Sequence, residues 1–196
     1  MKRIAVACLL LAACAPNITA AEASPTVPPD WSIHDAAGLR IAAPTTWLGP
    51  EVLPATDATG GPRAWIVFRD PSGAEAVTLM TWRDETASAL AAAQYESERP
   101  RGDAPTELRL ADGNRTRSVV AMSGYAYWSD PSGGGTYECR HLYVQLDPRL
   151  VAVVIACGPH LNGNGKNGPA HTTPTPQLRH LQEQVALRLG VAGGAP

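Results

Sequence analysis

The stretch CRHLYVQLDPRLVAVVIAC, residues 139–157, constrains the fold of this chain more than any other segment. Its halves are rich in β-branched and aromatic residues, and the turn formers Asp147-Pro148-Arg149 lie between them. Two strands folding back there bring Cys139 to face Cys157. A strict two-residue turn on Pro148-Arg149 would set Cys139 opposite Gly158 instead, and one bulged residue restores the match. Facing Cβ atoms lie about 4.5–5.5 Å apart, near what a disulfide needs. We therefore expect a structural Cys139–Cys157 bridge, worth about 3 kcal/mol by chain entropy. A redox pair is the alternative, but no Cys-x-x-Cys is present. The same register places Leu142, Val144 and Leu146 beside Val154, Ala152 and Leu150, one apolar face for helices to cover. Cys139, His141, Tyr143 and Gln145 lie on the other face, opposite Ile155 and Val153.

The remaining elements are built around that hairpin. Gly38 to Ala43 reads as a short strand with Leu39 and Ile41 on one side, stopped at Pro44-Thr45-Thr46-Trp47. Residues 48–63 are loop-like, broken by Gly60-Gly61-Pro62. Ala64–Asp70 and Glu75–Arg83 flank the turn Asp70-Pro71-Ser72-Gly73 and read as a hairpin. Asp84 is placed to cap a helix whose apolar face is Ala87, Leu90, Ala91 and Tyr95, with Pro100 ending it. Thr106–Ala111 and Arg115–Met122 flank Asp112-Gly113-Asn114, a second hairpin. Gly124–Trp128 is strand-like, and Asp-Pro-Ser-Gly recurs at 130–133. Thr175 and Pro176 start a last helix with Leu178, Leu181, Val185 and Leu189 as its stripe, ended by Gly190. Strands come in hairpins rather than alternating with helices, so the expected fold is α+β with a largely antiparallel sheet and two helices.

The first residues concern delivery. Lys2 and Arg3 precede an apolar run from Ile4 to Ala13. Ten helical residues span about 15 Å, half a bilayer core, so the run reads as a secretion signal rather than a span. Two cuts compete. Leu11-Ala12-Ala13-Cys14 resembles the lipobox of bacterial lipoproteins, which implies cleavage before a diacylglycerated (palmitate-type) Cys14 at the mature N-terminus. Ala15 after it, where an Asp would hold the protein at the inner membrane, implies the outer membrane. The other cut, at Thr19-Ala20-Ala21 or Ala21-Glu22-Ala23, would give a soluble periplasmic protein. The resulting division is a signal peptide over 1–13, a lipidated Cys and Pro/Ala-rich tether over 14–30, one domain over 31–190 and a disordered tail over 191–196.

Composition narrows the chemistry. The formal net charge is −2, and loss of Lys2 and Arg3 makes it more negative. That argues against nucleic acid or anionic lipid as partner, which need clustered Lys and Arg. No G-x-S-x-G or H-E-x-x-H occurs. GPHLNGNGK, residues 158–166, fails the phosphate-loop spacing, since Asn167 follows Lys166. The long polar loop 158–173 is the candidate binding segment, with His160, Asn162, Asn164, Lys166 and His171. His160 and His171 lack an acidic or thiol companion there, so they read as solvated rather than metal-bound, and no metal or cofactor is expected. His34 and His180 read as surface or capping groups, and His141 as a satisfied sheet histidine or a partner of Asp147 or Glu138. Trp47, Trp65, Trp82 and Trp128 read as core or core edge. Trp65 and Phe68 fall on opposite sides of one strand, so one of them is a candidate exposed aromatic, which beside that loop would be a recognition patch.

GLRIAAPTTW, a hairpin, the Ala-rich helix, a Gly-Tyr-x-Tyr strand, VAVVIACGP and a final helix together resemble the PsbP-like α/β/α sandwich over about residues 33–190. Members of that family are mostly non-enzymatic accessory, assembly or binding proteins. The resemblance implies a non-catalytic periplasmic lipoprotein that binds another envelope protein, with 48–63 and 158–173 as contact loops. Two other readings stay open: an immunity or inhibitor lipoprotein that blocks a toxin or lysozyme-like enzyme, and a hydrolase whose site the sequence does not display.

Overall fold

The cysteine hairpin forms in the computed structural model, which describes residues 27–54, 64–98, 103–130, 133–158 and 171–193. Strands β8 (Gly133–Asp147) and β9 (Leu150–Cys157) pair antiparallel, with Cys139 opposite Cys157, Leu142 opposite Val154 and Val144 opposite Ala152. The register shifts between Gln145 and Asp147, and Asp147 faces Leu150. Leu146 is therefore the bulged residue, and its expected pairing with Leu150 does not form. Cys139 and Cys157 are disulfide-bonded, with Cα atoms 4.0 Å apart. The neighbouring Gly158 N–H donates to the Glu138 carbonyl at 2.8 Å. The cysteines thus fall at a non-hydrogen-bonded position, where facing strands approach most closely.

An eight-stranded sheet grows outward from this pair. Its order is β3 (Leu48–Pro54), β4 (Ala64–Arg69), β5 (Ala76–Arg83), β9, β8, β7 (Arg115–Asp130) and β6 (Thr106–Asp112). All these pairings are antiparallel; β10 (His171–Thr172) adds to β8 in parallel at Thr136 and Tyr137. A smaller sheet joins β1 (Trp31–Ala36), β2 (Leu39–Pro44) and β11 (Gly190–Val191). The class is α+β, as the hairpin pattern implies. Four strands were not expected, one of them β10, which lies in the segment read as the polar loop 158–173. Residues 48–54, read as loop, form edge strand β3, because Gly49 and two prolines mask its alternation. β1 pairs with β2 through the turn Ala37-Gly38. The domain also runs past residue 190. Gly190 does not cap the last helix but opens β11, and the Ala192 N–H bonds the Gly38 carbonyl at 2.9 Å.

Both faces of the sheet are covered, by different elements. On one face lie α2 (Pro176–Arg188) and the small sheet, burying Leu39, Ile41, Ile66, Leu79, Leu142, Val144, Val154 and Leu178. Each such side chain contributes about 1.5–3 kcal/mol when fully buried. On the other face α1 (Ala87–Glu98) packs on β7 and β8, over Val120, Met122, Tyr143 and Val153. The apolar face expected to take both helices therefore takes α2 alone, and the face of Cys139, His141 and Tyr143 takes α1. Central position explains the unbroken apolar run of β9: Val151 to Ala156 are buried on both sides.

Side chains from the sheet fix the helix ends. Thr175 caps α2, its hydroxyl accepting from the Leu178 N–H at 3.1 Å. At the other end Arg117 of β7 donates to the carbonyls of Ala186 and Leu189 at 2.8 and 2.7 Å, supplying partners that a terminal glycine would otherwise provide. Buried Arg188 pairs with Asp112 at 2.5 Å and lies over the Trp31 ring. Gln182, fully buried, donates through Nε2 to the carbonyls of Arg140 and Val154 at 2.7 and 2.8 Å. Its Oε1 has no partner among the described residues, and nothing in their packing accounts for that. For α1 the cap is Thr86, whose hydroxyl accepts from the Ala89 N–H at 3.2 Å. Asp84, the expected cap, instead has φ 64° and pairs with Arg149. The Gln145 Oε1 accepts from the Ala87 N–H at 2.8 Å, tying the start of α1 to the bulged end of β8.

Two expectations follow from this packing. Replacing both Cys139 and Cys157 by Ser should lower unfolding free energy by about 3 kcal/mol with the fold retained, as read by urea titration followed by circular dichroism. The second concerns the turn after β4. Asp70 accepts from the Ser72 hydroxyl, from the Glu75 N–H at 2.7 Å and from the Ser72 N–H at 3.0 Å. These bonds, the Ser72 hydroxyl first, hold its carboxyl below the ordinary 3.8. A lowered folded pKa contributes stability above the unfolded value that is lost as pH falls through the folded one. Asp70→Asn should therefore be less stable than the wild type at neutral pH, with the gap closing as pH drops below 3.8.

Candidate functional site

Cross-strand registers define rows of side chains that share one face, and one row shows where the molecule is open. It runs from Leu53 (β3) to Trp65 (β4), Met80 (β5), Val153 (β9), Tyr143 (β8) and Val120 (β7). Val153 and Tyr143 are fully buried and Val120 is buried. Met80 is half-buried, while Trp65 and Leu53 are 36% and 39% exposed. Burial falls away with distance from α1, which packs on β7 and β8. Trp82, one step along β5 on the same face, is half-buried. Beyond this ground Val67 is buried, and Arg69 and Glu51 lie 3.8 Å apart at the rim. The sequence expectation that Trp65 and Phe68 part company is met: Phe68 is buried under β1, edge-on to His34 at 5.4 Å.

Local chemistry positions this ground. Gly49 has φ 135°, and a Cβ there would stand 2.7 Å from the Val67 carbonyl oxygen. Only glycine lets β3 approach β4 at that point, which seats Leu53 beside Trp65. β3 is also a sheet edge. Pro50 and Pro54 remove two of its donors, so the edge is a poor template for an added strand.

The polar candidates lie elsewhere. His141 is buried under α1, with its Nδ1 3.5 Å from the Tyr143 hydroxyl, which in turn donates to Gln94 Oε1 at 2.6 Å. Its expected partner Glu138 faces α2 instead, 3.6 Å from Arg179. Asp147 accepts from the Arg149 N–H at 2.7 Å. His34 bonds Ser32 at 2.7 Å, and His180 is exposed on α2. Cys14, His160, Asn162, Asn164 and Lys166 lie outside the described residues. His171 begins β10, beside Thr136 of β8. Among the described residues no group of three or more His, Cys, Asp or Glu side chains could hold a metal ion. No described helix is long and apolar enough to cross a membrane.

No family model and no curated protein matches this chain. A crystal structure from Bacteroides thetaiotaomicron VPI-5482, at 1.50 Å resolution, is similar over 84% of this chain with 12% sequence identity and a TM-score of 0.44. The chain spans 49% of the length of that neighbour.

Sequence reasoning singled out Trp65 but not the row it belongs to. Leu53 sits in LGPEVLP, where glycine and proline erase the period-two signal. Met80 and Trp82 look like ordinary strand residues, and only the placement of α1 shows that their face is left open.

Proposed function

We propose that this chain is a non-catalytic lipoprotein of the bacterial envelope that binds another envelope protein through the Leu53–Trp65–Met80 ground. The fall in burial along one row, from Tyr143 under α1 to Trp65 in the open, carries this reading. Trp and Met are enriched in interface cores, and an exposed Trp on a rigid sheet costs little entropy to bury. The occupant fitting the ground is an amphipathic helix of the partner. Strands lie about 4.8 Å apart, so a helix over β4 and β5 would lie three strand spacings, about 14 Å, from α1 and would not collide with it. The proline-blunted β3 edge disfavours strand addition as the binding mode. The resemblance to PsbP-like accessory domains supports a binding role. Leu11-Ala12-Ala13-Cys14 supports an acylated anchor facing the periplasm from the outer membrane, and the bonded cysteines suit an oxidising compartment.

A photo-crosslinking residue placed at Trp65, and separately at Arg109 on the opposite edge strand, tests this in living cells. The reading expects one discrete adduct from position 65, mapping to an amphipathic helix of an envelope protein, and none from position 109. Trp65→Ser should reduce binding of that partner at least about tenfold while changing unfolding free energy by no more than about 1 kcal/mol. Adducts from position 109 alone, or binding untouched by Trp65→Ser, would overturn it.

A further inference from the structure

On the face opposite the docking ground, where the small sheet meets the ends of β4, β5 and β9, lies a cleft of about 680 Å³. That is within the range of small-molecule sites. Its walls include Ala64, Leu150 and Val191, with the Ala37-Gly38 turn at its rim. Thr81 and Arg83 line it from adjacent same-face positions of β5, about 7 Å apart along the strand. Thr81 is 3% exposed, and its hydroxyl makes no hydrogen bond among the described residues; it is not one of the fully buried unpaired atoms, so it keeps contact with solvent. Arg83 has no ion-pair partner among the described residues.

The other charges at the cleft are committed. Arg149 is held by Asp84, Nε to Oδ1 at 2.6 Å and Nη2 to the same oxygen at 2.5 Å. Asp147 accepts from the Arg149 N–H. The uncommitted polar groups are therefore one guanidinium and one hydroxyl on the same face. Among the described residues, the two non-glycine positions with positive φ are Ala37 at 48° and Asp84 at 64°. Ala37 lines this cleft, and Asp84 follows its wall residue Arg83 in the chain; such conformations concentrate where a fold holds a site open.

We propose that this cleft binds a small monocarboxylate with an apolar body. The carboxylate accepts from the Arg83 guanidinium and the Thr81 hydroxyl, and its hydrocarbon lies against Ala64, Leu150 and Val191. The Asp147 carboxylate on the wall repels a second negative charge on the ligand, which selects monoanions. The site is separate from the docking ground, so either proposal stands or falls without the other.

Hexanoate is the probe, titrated into the full chain at constant ionic strength and followed by amide chemical shifts. Saturable shifts are expected at Thr81, Arg83, Leu150 and Val191, with hexanamide, the neutral counterpart, producing none. Arg83→Gln, at an exposed side chain, should weaken hexanoate binding at least about tenfold, the scale of one charge-assisted bond. Thr81→Val, which keeps shape and removes the hydroxyl, should weaken it as well. Absence of saturation, an equal response to hexanamide, shifts confined to the Trp65 face or an affinity unchanged in Arg83→Gln would each overturn the proposal.

Discussion

The pairing of β8 with β9 is the constraint on which the other elements rest. Its register decides which side chains share a face, because a one-residue slip would send every one of them to the opposite side. With Cys139 opposite Cys157 and one residue bulged out, Leu142, Val144, Ala152 and Val154 form a floor for α2, while Tyr143 and Val153 form a floor for α1. The same pair also supplies polar anchors. Gln182 of α2 reaches the carbonyls of Arg140 and Val154, and Gln145 beside the bulge holds the first turn of α1. Both helices are positioned by contacts that exist only in this register.

The two faces are finished differently, and the proposed docking rests on the difference. On the α2 side the small sheet completes the cover over β4 and β5, so Ile66, Phe68, Val77 and Leu79 are buried. On the α1 side one helix of 12 residues covers β7 and β8, and the row ends in half-buried Met80 and exposed Trp65 and Leu53. A sheet held rigid from behind, with part of its front uncovered, presents apolar surface without itself rearranging. That suits a binding protein whose partner supplies the missing cover. Low ordering cost on this side leaves more of the burial free energy available for association.

Much of the architecture was legible because it is written in local signals. The equal spacing of Cys139 and Cys157 about Pro148 gave the hairpin, the bulge and the disulfide, and Thr175-Pro176 gave the start of α2. The turn formers at 70–73 and 112–114 gave two more hairpins. What was not legible depends on contacts distant in sequence. Asp84 looks like a helix cap, but Arg149 draws it into a left-handed conformation and Thr86 caps instead. Gly190 looks like a helix stop, yet Arg117 from a distant strand satisfies the last carbonyls and frees Gly190 for pairing with Arg40. β3 was hidden by its prolines. The site was partly legible: alternation put Trp65 and Phe68 on opposite faces, but which face α1 covers depends on the Gln145 side chain beside the bulge, which holds the Ala87 N–H.

Residue-resolved amide hydrogen exchange on the intact chain tests the primacy of the β8–β9 pair most directly. Amides of residues 140–145 and 151–156 should be the slowest in the molecule and should share one opening free energy, while β3 exchanges fastest among the strands. Slowest exchange in another pair of strands, or β3 protected as strongly as β9, would contradict the account.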